Sequence, residues 1–321
     1  MSSQTRRTFL RQVAVAGAAA ALPWGVSKRA LAAPARKQSE QDRKTVAWKF
    51  AICNETFKDW PFDKAFAFAA QCGYRGLEIA PFTISPYVTD ISTADRARVR
   101  RQAEQAGLEV VGLHWLLAKT KGFHLTSPDK TVRRKTAEYF GHLAQFCAEL
   151  GGKILVLGSP QQRSLLAGVS RSEAMKYAAD VLRDVLPKLE ALDLVLALEP
   201  LSPKETNFMN TAADAEELIG LVGSPRCRLH LDCKAMCSET TPIPELIRRH
   251  HRMLAHFHAN DANLQGPGFG KLDFVPIFKA LREVRYTGWV SVEVFDYTPG
   301  PERLARESIR YMRECLLRLD D

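Results

Sequence analysis

The chain has 321 residues and a formal net charge of +9, but Arg6, Arg7, Arg11, Lys28 and Arg29 stand in residues 1–32 without an acid, and the +4 left over is mild for this length. Neither that charge nor any basic-aromatic cluster points to a nucleic-acid partner. Seven cysteines, an odd number with no C-x-x-C pair, argue against a disulfide framework and read mostly as small buried hydrophobes.

In chain order, the first segment is Thr5-Arg6-Arg7-Thr8-Phe9-Leu10, followed by an apolar run from Val13 to Leu22 and a small-x-small site at Ala30-Leu31-Ala32. These parts, in this order, predict a twin-arginine signal peptide over residues 1–32. The apolar run is too short to span a bilayer. The reading therefore places the mature protein in the periplasm or otherwise outside the cytoplasm. It implies the twin-arginine export machinery as a partner, and no membrane anchor after cleavage. Residues 33–45 form a polar tether, and residues 46–321 hold one domain. Export in the folded state suits a protein that acquires a cofactor before it crosses.

From residue 46 onward, apolar runs alternate with amphipathic stretches. Strands are predicted at 48–53, 76–80, 108–117, 153–159, 194–200, 227–233, 253–259 and 289–295. Helices are predicted at Phe62–Cys72, Ser92–Ala106, Val132–Leu150, Ser172–Leu192, Ala213–Leu221, Ile243–Arg249, Val275–Val284 and Pro301–Arg318. Strands that are apolar on both faces and separated by helices form parallel sheets. Eight such repeats predict an α/β protein with a closed (β/α)8 TIM barrel. The alternative, an open doubly wound sheet, lacks a G-x-G-x-x-G after any strand.

Function in such a barrel sits where the strands end. Strand five (L-V-L-A-L-E-P) is apolar until Glu199, strand six (R-L-H-L-D-C) ends at Asp232, strand seven at His258, and strand eight (W-V-S-V-E-V-F) carries Glu293. Three carboxylates converging in a barrel mouth repel one another unless a cation lies among them. Three carboxylates and one imidazole form an oxygen-rich set for one divalent metal ion, with Mn2+, Mg2+ or Co2+ favoured and Zn2+ acceptable. His256 and His230 lie one layer deeper on the same strand faces and read as supports of the ligands. Glu78 and His114, late on strands two and three, are candidates to line the mouth. The loop G-S-P-Q-Q-R after strand four reads as a substrate-contacting flap, and Gly266-Pro267-Gly268-Phe269-Gly270 as a lid.

The motifs L-A-L-E-P-L-S-P-K-E-T-N, H-L-D-C-K-A-M, H-F-H-A-N-D-A-N-L-Q-G-P-G-F-G and S-V-E-V-F, over residues 46–318, resemble the xylose isomerase-like sugar isomerase/epimerase superfamily. The resemblance implies a metal held by Glu199, Asp232, His258 and Glu293. In the ketose 3-epimerase branch the two glutamates also move the proton, which gives Glu199 and Glu293 catalytic roles on opposite faces of the substrate. Glu205 falls where that branch has a glutamate near the substrate. Two of the branch's substrate contacts are missing: its histidine is Ala235 here, and its arginine is Leu264. These departures argue against simple tagatose-like ketoses. Lys234, Asn260 and Gln265 are candidates to substitute for them.

The expected activity is epimerisation or isomerisation of a sugar, keto-sugar or inosose through a metal-held enediolate, with a small carbohydrate as substrate. A lyase acting on a keto-glycoside uses the same intermediate. An endonuclease IV-like phosphoesterase, which needs several more histidines, and a non-catalytic carbohydrate-binding barrel are the remaining alternatives. The sequence leaves open whether the chain forms a homo-oligomer.

Overall fold

The computed structural model describes residues 48–319. Eight short parallel strands pair in sequence order and close on themselves: β1 (Lys49–Cys53), β2 (Gly76–Ile79), β3 (Glu109–Leu113), β4 (Ile154–Leu157), β5 (Val195–Leu198), β6 (Cys227–Asp232), β7 (Leu254–Ala259) and β8 (Trp289–Val292). The closure is the pairing of β1 with β8, Lys49 opposite Trp289 through Ile52 opposite Val292. The strands are buried along nearly their whole length, which is why they read as continuous apolar runs.

The outer layer consists of α1 (Phe62–Cys72), α2 (Thr93–Gln105), α3 (Lys130–Leu150), α4 (Arg171–Ala191), α5 (Ala212–Val222), a single turn α6 (Cys233–Met236), α7 (Ile243–His250), α8 (Val275–Glu283) and α9 (Pro301–Leu317). Local chemistry starts several of them. Ser92 and Asp129 accept from backbone amides at the heads of α2 and α3, and reciprocal capping boxes, Ser170 with Glu173 and Thr211 with Asp214, open α4 and α5. The apolar faces of these helices pack on the strands to make one core that includes Phe66, Phe140, Phe146, Phe257 and Phe278. No described helix is long and apolar enough to cross a membrane.

The expected (β/α)8 barrel is the observed fold, and the predicted elements agree with the observed ones to within a few residues, with one clear exception. Strand three stops at Leu113 rather than running to Leu117, because Trp115 turns the chain with φ of 53°. The short α6 has no counterpart in the periodicity. It arises because Asp232, the last residue of β6, accepts from the Ala235 amide and caps one turn.

Two register steps lie under the mouth, at Leu77/Glu78 between β2 and β3 and at Leu229/His230 between β6 and β7. After the second step, His230 stands opposite His256 and Asp232 opposite His258. Register steps of this kind re-aim the side chains that follow them.

Candidate metal and substrate site

The four residues expected to bind metal lie together at the C-terminal end of the barrel. Glu199 and Glu293 are the first residues after β5 and β8, Asp232 closes β6, and His258 is the penultimate residue of β7; all four are buried. His258 Nδ1 lies 3.1 Å from Glu293 Oε2 and 3.9 Å from Asp232 Oδ2. Asp232 Oδ1 accepts from the Ala235 amide at 2.7 Å, and Oδ2 accepts from Asn260 Nδ2 at 2.5 Å. Glu293 Oε1 accepts from Trp115 Nε1 at 3.0 Å. Space for Glu199 exists because residue 158 is glycine: a Cβ there would stand 1.8 Å from Glu199 Oε2.

The crowding of acids shifts their proton affinities. Burial, reinforced by Glu293 and Asp232, pushes Glu199 up to about 8. Burial also raises Asp232 to about 6, with Glu293 adding and Lys234 opposing. Burial would raise Glu293 too, but the adjacent His258 outweighs it and holds the carboxyl at about 2. His258 stays well above the usual imidazole range because Glu293 and Glu78 overcome the burial that opposes its charge. A divalent cation neutralises such a cluster and releases the protons that burial retains. The chemistry of these donors suits a divalent ion, but the ligand atoms that lie within 4.8 Å of one another come from Glu199, His230, Asp232 and His258, with His230 where Glu293 was expected; Glu293 groups instead with Cys53, Glu55 and His114.

Beneath these groups lies a buried histidine layer. Glu78 Oε2 lies 2.9 Å from His258 Nε2 and 3.0 Å from His256 Nε2, and the two imidazoles hold the Glu78 carboxyl well below its usual range despite its burial. Glu78 was expected at the mouth. The structure places it in the barrel interior instead, because the Leu77/Glu78 register step sets it opposite Gly112 and it packs under His258. His256 lies in this layer, as anticipated. His230 lies closer to the ligands than a support would need: its ring centroid is 4.2 Å from that of His258, and neither of its nitrogens has a hydrogen-bond partner.

At the rim, Lys234 Nζ pairs with Glu205 Oε1 at 2.7 Å and sits 4.0 Å over the Phe295 ring, while its backbone amide donates to Asn260 Oδ1 at 2.7 Å. Glu205, Lys234 and Asn260 are thus linked to the Asp232 side of the centre. His114 is also close, but it is buried, with Nε2 2.8 Å from Glu55 Oε2. Ala235 contributes its amide to Asp232 and nothing larger. Leu264 extends an exposed side chain while its carbonyl accepts from the Phe295 and Asp296 amides.

The flap after β4 does border the mouth: Ser159, Pro160, Gln161 and Gln162 line a cavity of about 850 Å³. Arg163 is buried beneath it and donates to the Glu199 carbonyl at 2.6 Å. The glycine segment 266–270 does not cover the site. Gly266 packs on Ser308 and Gly268 on Tyr311, both of α9, closely enough that a Cβ at either would clash.

Glu55 and Trp115 were not among the sequence candidates, and Arg163 entered only as the end of the flap G-S-P-Q-Q-R. Glu55 stands two residues after β1, at the functional end of the barrel, and that position was its available signal. The burial of Arg163 against the Glu199 backbone was not anticipated, since a charged loop residue reads as solvated.

A family model described as Xylose isomerase-like TIM barrel matches residues 66–315. Over 272 residues the chain is 26% identical to a probable ketose 3-epimerase of Synechocystis sp., covering 78% of this chain and 89% of that protein. Over 235 residues it is 28% identical to the D-psicose 3-epimerase of Agrobacterium fabrum, covering 72% and 78%. The apo crystal structure of a 3-keto-D-glucoside 4-epimerase from E. coli superposes with a TM-score of 0.73 at 22% identity, covering 84% of this chain and all of that one, a likeness of fold. The barrel, the matched span and the polar strand ends agree, and the chain belongs to the xylose isomerase-like TIM barrel family.

Proposed function

We propose that the chain is a divalent-metal-dependent epimerase or isomerase of a sugar, keto-sugar or inosose. The observation that carries this reading is the convergence of Glu199, Asp232 and Glu293 with His258 at one barrel mouth, in proton states that a cation would reset. The similarity to enzymes named as ketose 3-epimerases supports it. Glu199, Asp232, His258 and Glu293 would hold the ion, with the unpartnered His230 beside them. Their oxygen-rich character favours Mn2+, Mg2+ or Co2+ and accepts Zn2+. When bound, the ion polarises a carbonyl and lowers the pKa of the neighbouring C–H.

The chain's own groups then handle the proton. One of Glu199 and Glu293 removes it from the carbon, and the other returns a proton to the opposite face for epimerisation or to the adjacent carbon for isomerisation. Trp115 Nε1 steers Glu293, Arg163 fixes the backbone at Glu199, and Glu205, Lys234 and Asn260 offer polar groups to sugar hydroxyls. General acid–base transfer of this kind supplies roughly 10²–10⁴-fold in rate. In D2O, Glu199→Gln and Glu293→Gln should each abolish deuterium incorporation at the substrate carbon. Exchange that persists in both variants would sink the mechanism.

We also propose that residues 1–32 are a twin-arginine signal and that the mature domain, residues 46–321, follows a tether at 33–45. The signal and the tether lie outside the described residues, and the signal rests on the motif Thr5-Arg6-Arg7-Thr8-Phe9-Leu10. Replacing Arg6 and Arg7 together by lysine should leave the protein in the cytoplasmic fraction. Unchanged export would refute the signal.

A further inference from the structure

Alternation along β6 sets His230 on the same face as Asp232, towards the barrel interior. His230 is fully buried there, its ring centroid 4.2 Å from that of His258 and 5.3 Å from that of His256. Neither of its nitrogens has a hydrogen-bond partner. A neutral imidazole carries one donor and one acceptor, and leaving both unpaired in the interior costs stability. A histidine that only supports a metal ligand gives one nitrogen to that ligand or to a carboxylate beside it. His256 has such a place, with Nε2 3.0 Å from Glu78 Oε2. His230 has none.

Two residues along a strand separate His230 from Asp232 by about 6.6 Å of backbone, which would leave a short side chain out of reach of the mouth. The imidazole is longer, and the register step at Leu229/His230 re-aims it. One of its ligand atoms thereby comes within 4.8 Å of those of Glu199, Asp232 and His258. Nitrogen and oxygen donors about 2.0–2.2 Å from a shared ion stand no more than about 4.4 Å apart, so shifts of a few tenths of an ångström bring all four onto one ion. His256 groups with His230 and His258 but not with the two carboxylates.

We propose that His230 is itself a ligand of the ion, placing a second imidazole beside Glu199, Asp232 and His258. This rests on the reading of the mouth as a divalent-metal site and deepens it, and it makes no use of the sugar chemistry. Its consequence is selectivity. Carboxylates suit Mg2+ and Mn2+, whereas imidazole suits later ions, so the second imidazole moves the preference towards Zn2+, with Co2+ between. The unpaired nitrogens are then explained as well, since the ion is the partner that one of them lacks.

Calorimetric titration of the metal-stripped full chain with Zn2+, Co2+, Mn2+ and Mg2+ in turn tests this, on the wild type and on His230→Leu. In the variant, Zn2+ affinity should fall at least about 100-fold, the upper end of what loss of a group behind a ligand costs, and Mg2+ affinity less than about tenfold. The metal-free variant should match or exceed the urea midpoint of the metal-free wild type, because it no longer buries an unpaired polar group. A histidine needed only for packing would lower that midpoint and leave the Zn2+-to-Mg2+ ratio unchanged, which overturns the assignment. The wild type alone decides the matter a second way. With Co2+ bound, its proton spectrum in water should show two exchangeable imidazole N–H signals shifted by the ion, from His230 and His258, and a single one overturns the proposal. A wild type that binds none of the four ions defeats the metal reading itself, whereas one whose ion ratio is untouched by His230→Leu defeats the new ligand alone.

Discussion

Glu78 shows how one side chain governs its neighbours. Its Oε2 faces Nε2 of both His256 and His258, which holds a proton of His258 on Nε2 and leaves Nδ1, beside Glu293 and Asp232, as the nitrogen that would turn to a metal. Glu78→Gln keeps the size and weakens that hold. Metal affinity of the variant, measured by calorimetry, should fall roughly 10–100-fold, the usual cost of losing a partner behind a ligand. An unchanged affinity would mean that His258 is oriented by packing alone. At residue scale the four polar strand ends were legible in the sequence, because one acid or imidazole closing an apolar run can be an ordinary salt bridge, whereas four on consecutive strands at the same end point to a shared site. Glu55, Trp115 and Arg163 were not legible, since their partners lie far along the chain: His114 is 59 residues from Glu55, and Glu293 is 178 from Trp115.

Among the elements, β3 and β4 make the shortest contact of the barrel wall, with two register pairs, and Gly112 allows it. A Cβ on residue 112 would stand 1.9 Å from the Ile154 carbonyl oxygen, a backbone atom that has nowhere to go. Gly112→Ala should destabilise the fold by about 1–3 kcal/mol, as overpacking does, read as a lower urea midpoint. Wild-type stability would show that the two strands separate without cost. Helix positions were readable from periodicity, but the caps were not used to fix their starts: α4 was expected to begin at Ser172, past the Ser170–Glu173 capping box that opens it. The end of β3 was misread because the apolar run His114–Leu117 continues past the left-handed Trp115, and hydropathy carries no φ.

For the molecule as a whole, the acids at the mouth make stability depend on pH and metal together. Glu199, raised to about 8, and Asp232, raised to about 6, hold protons when folded that they lose more readily when unfolded. The sign follows: between the ordinary carboxylate range and about pH 8 the unfolded state binds fewer protons, so the metal-free protein loses stability as pH rises. Glu293, held at about 2, works the opposite way, but only at lower pH. The urea midpoint of the protein in chelator should therefore fall from pH 5 to pH 8. Saturating Mn2+ should reverse that fall, adding about 2.7 kcal/mol at a hundred times its Kd. A midpoint indifferent to metal at pH 8 would contradict the proposed centre.

The order and kind of the elements, the closed barrel they imply and the end of it that carries chemistry are properties of local pattern. Each strand and helix announces itself within about a dozen residues, and parallel strands joined by helices leave few ways to close. Register, burial and pairing are not local. The steps at Leu77/Glu78 and Leu229/His230 sank Glu78 below the mouth and brought His230 up against His258, and closure of β1 on β8 brought Glu55 and Phe295 to one cavity. Whether a given acid meets an imidazole, an indole or open space depends on which distant strands lie beside it, and only the folded chain settles that.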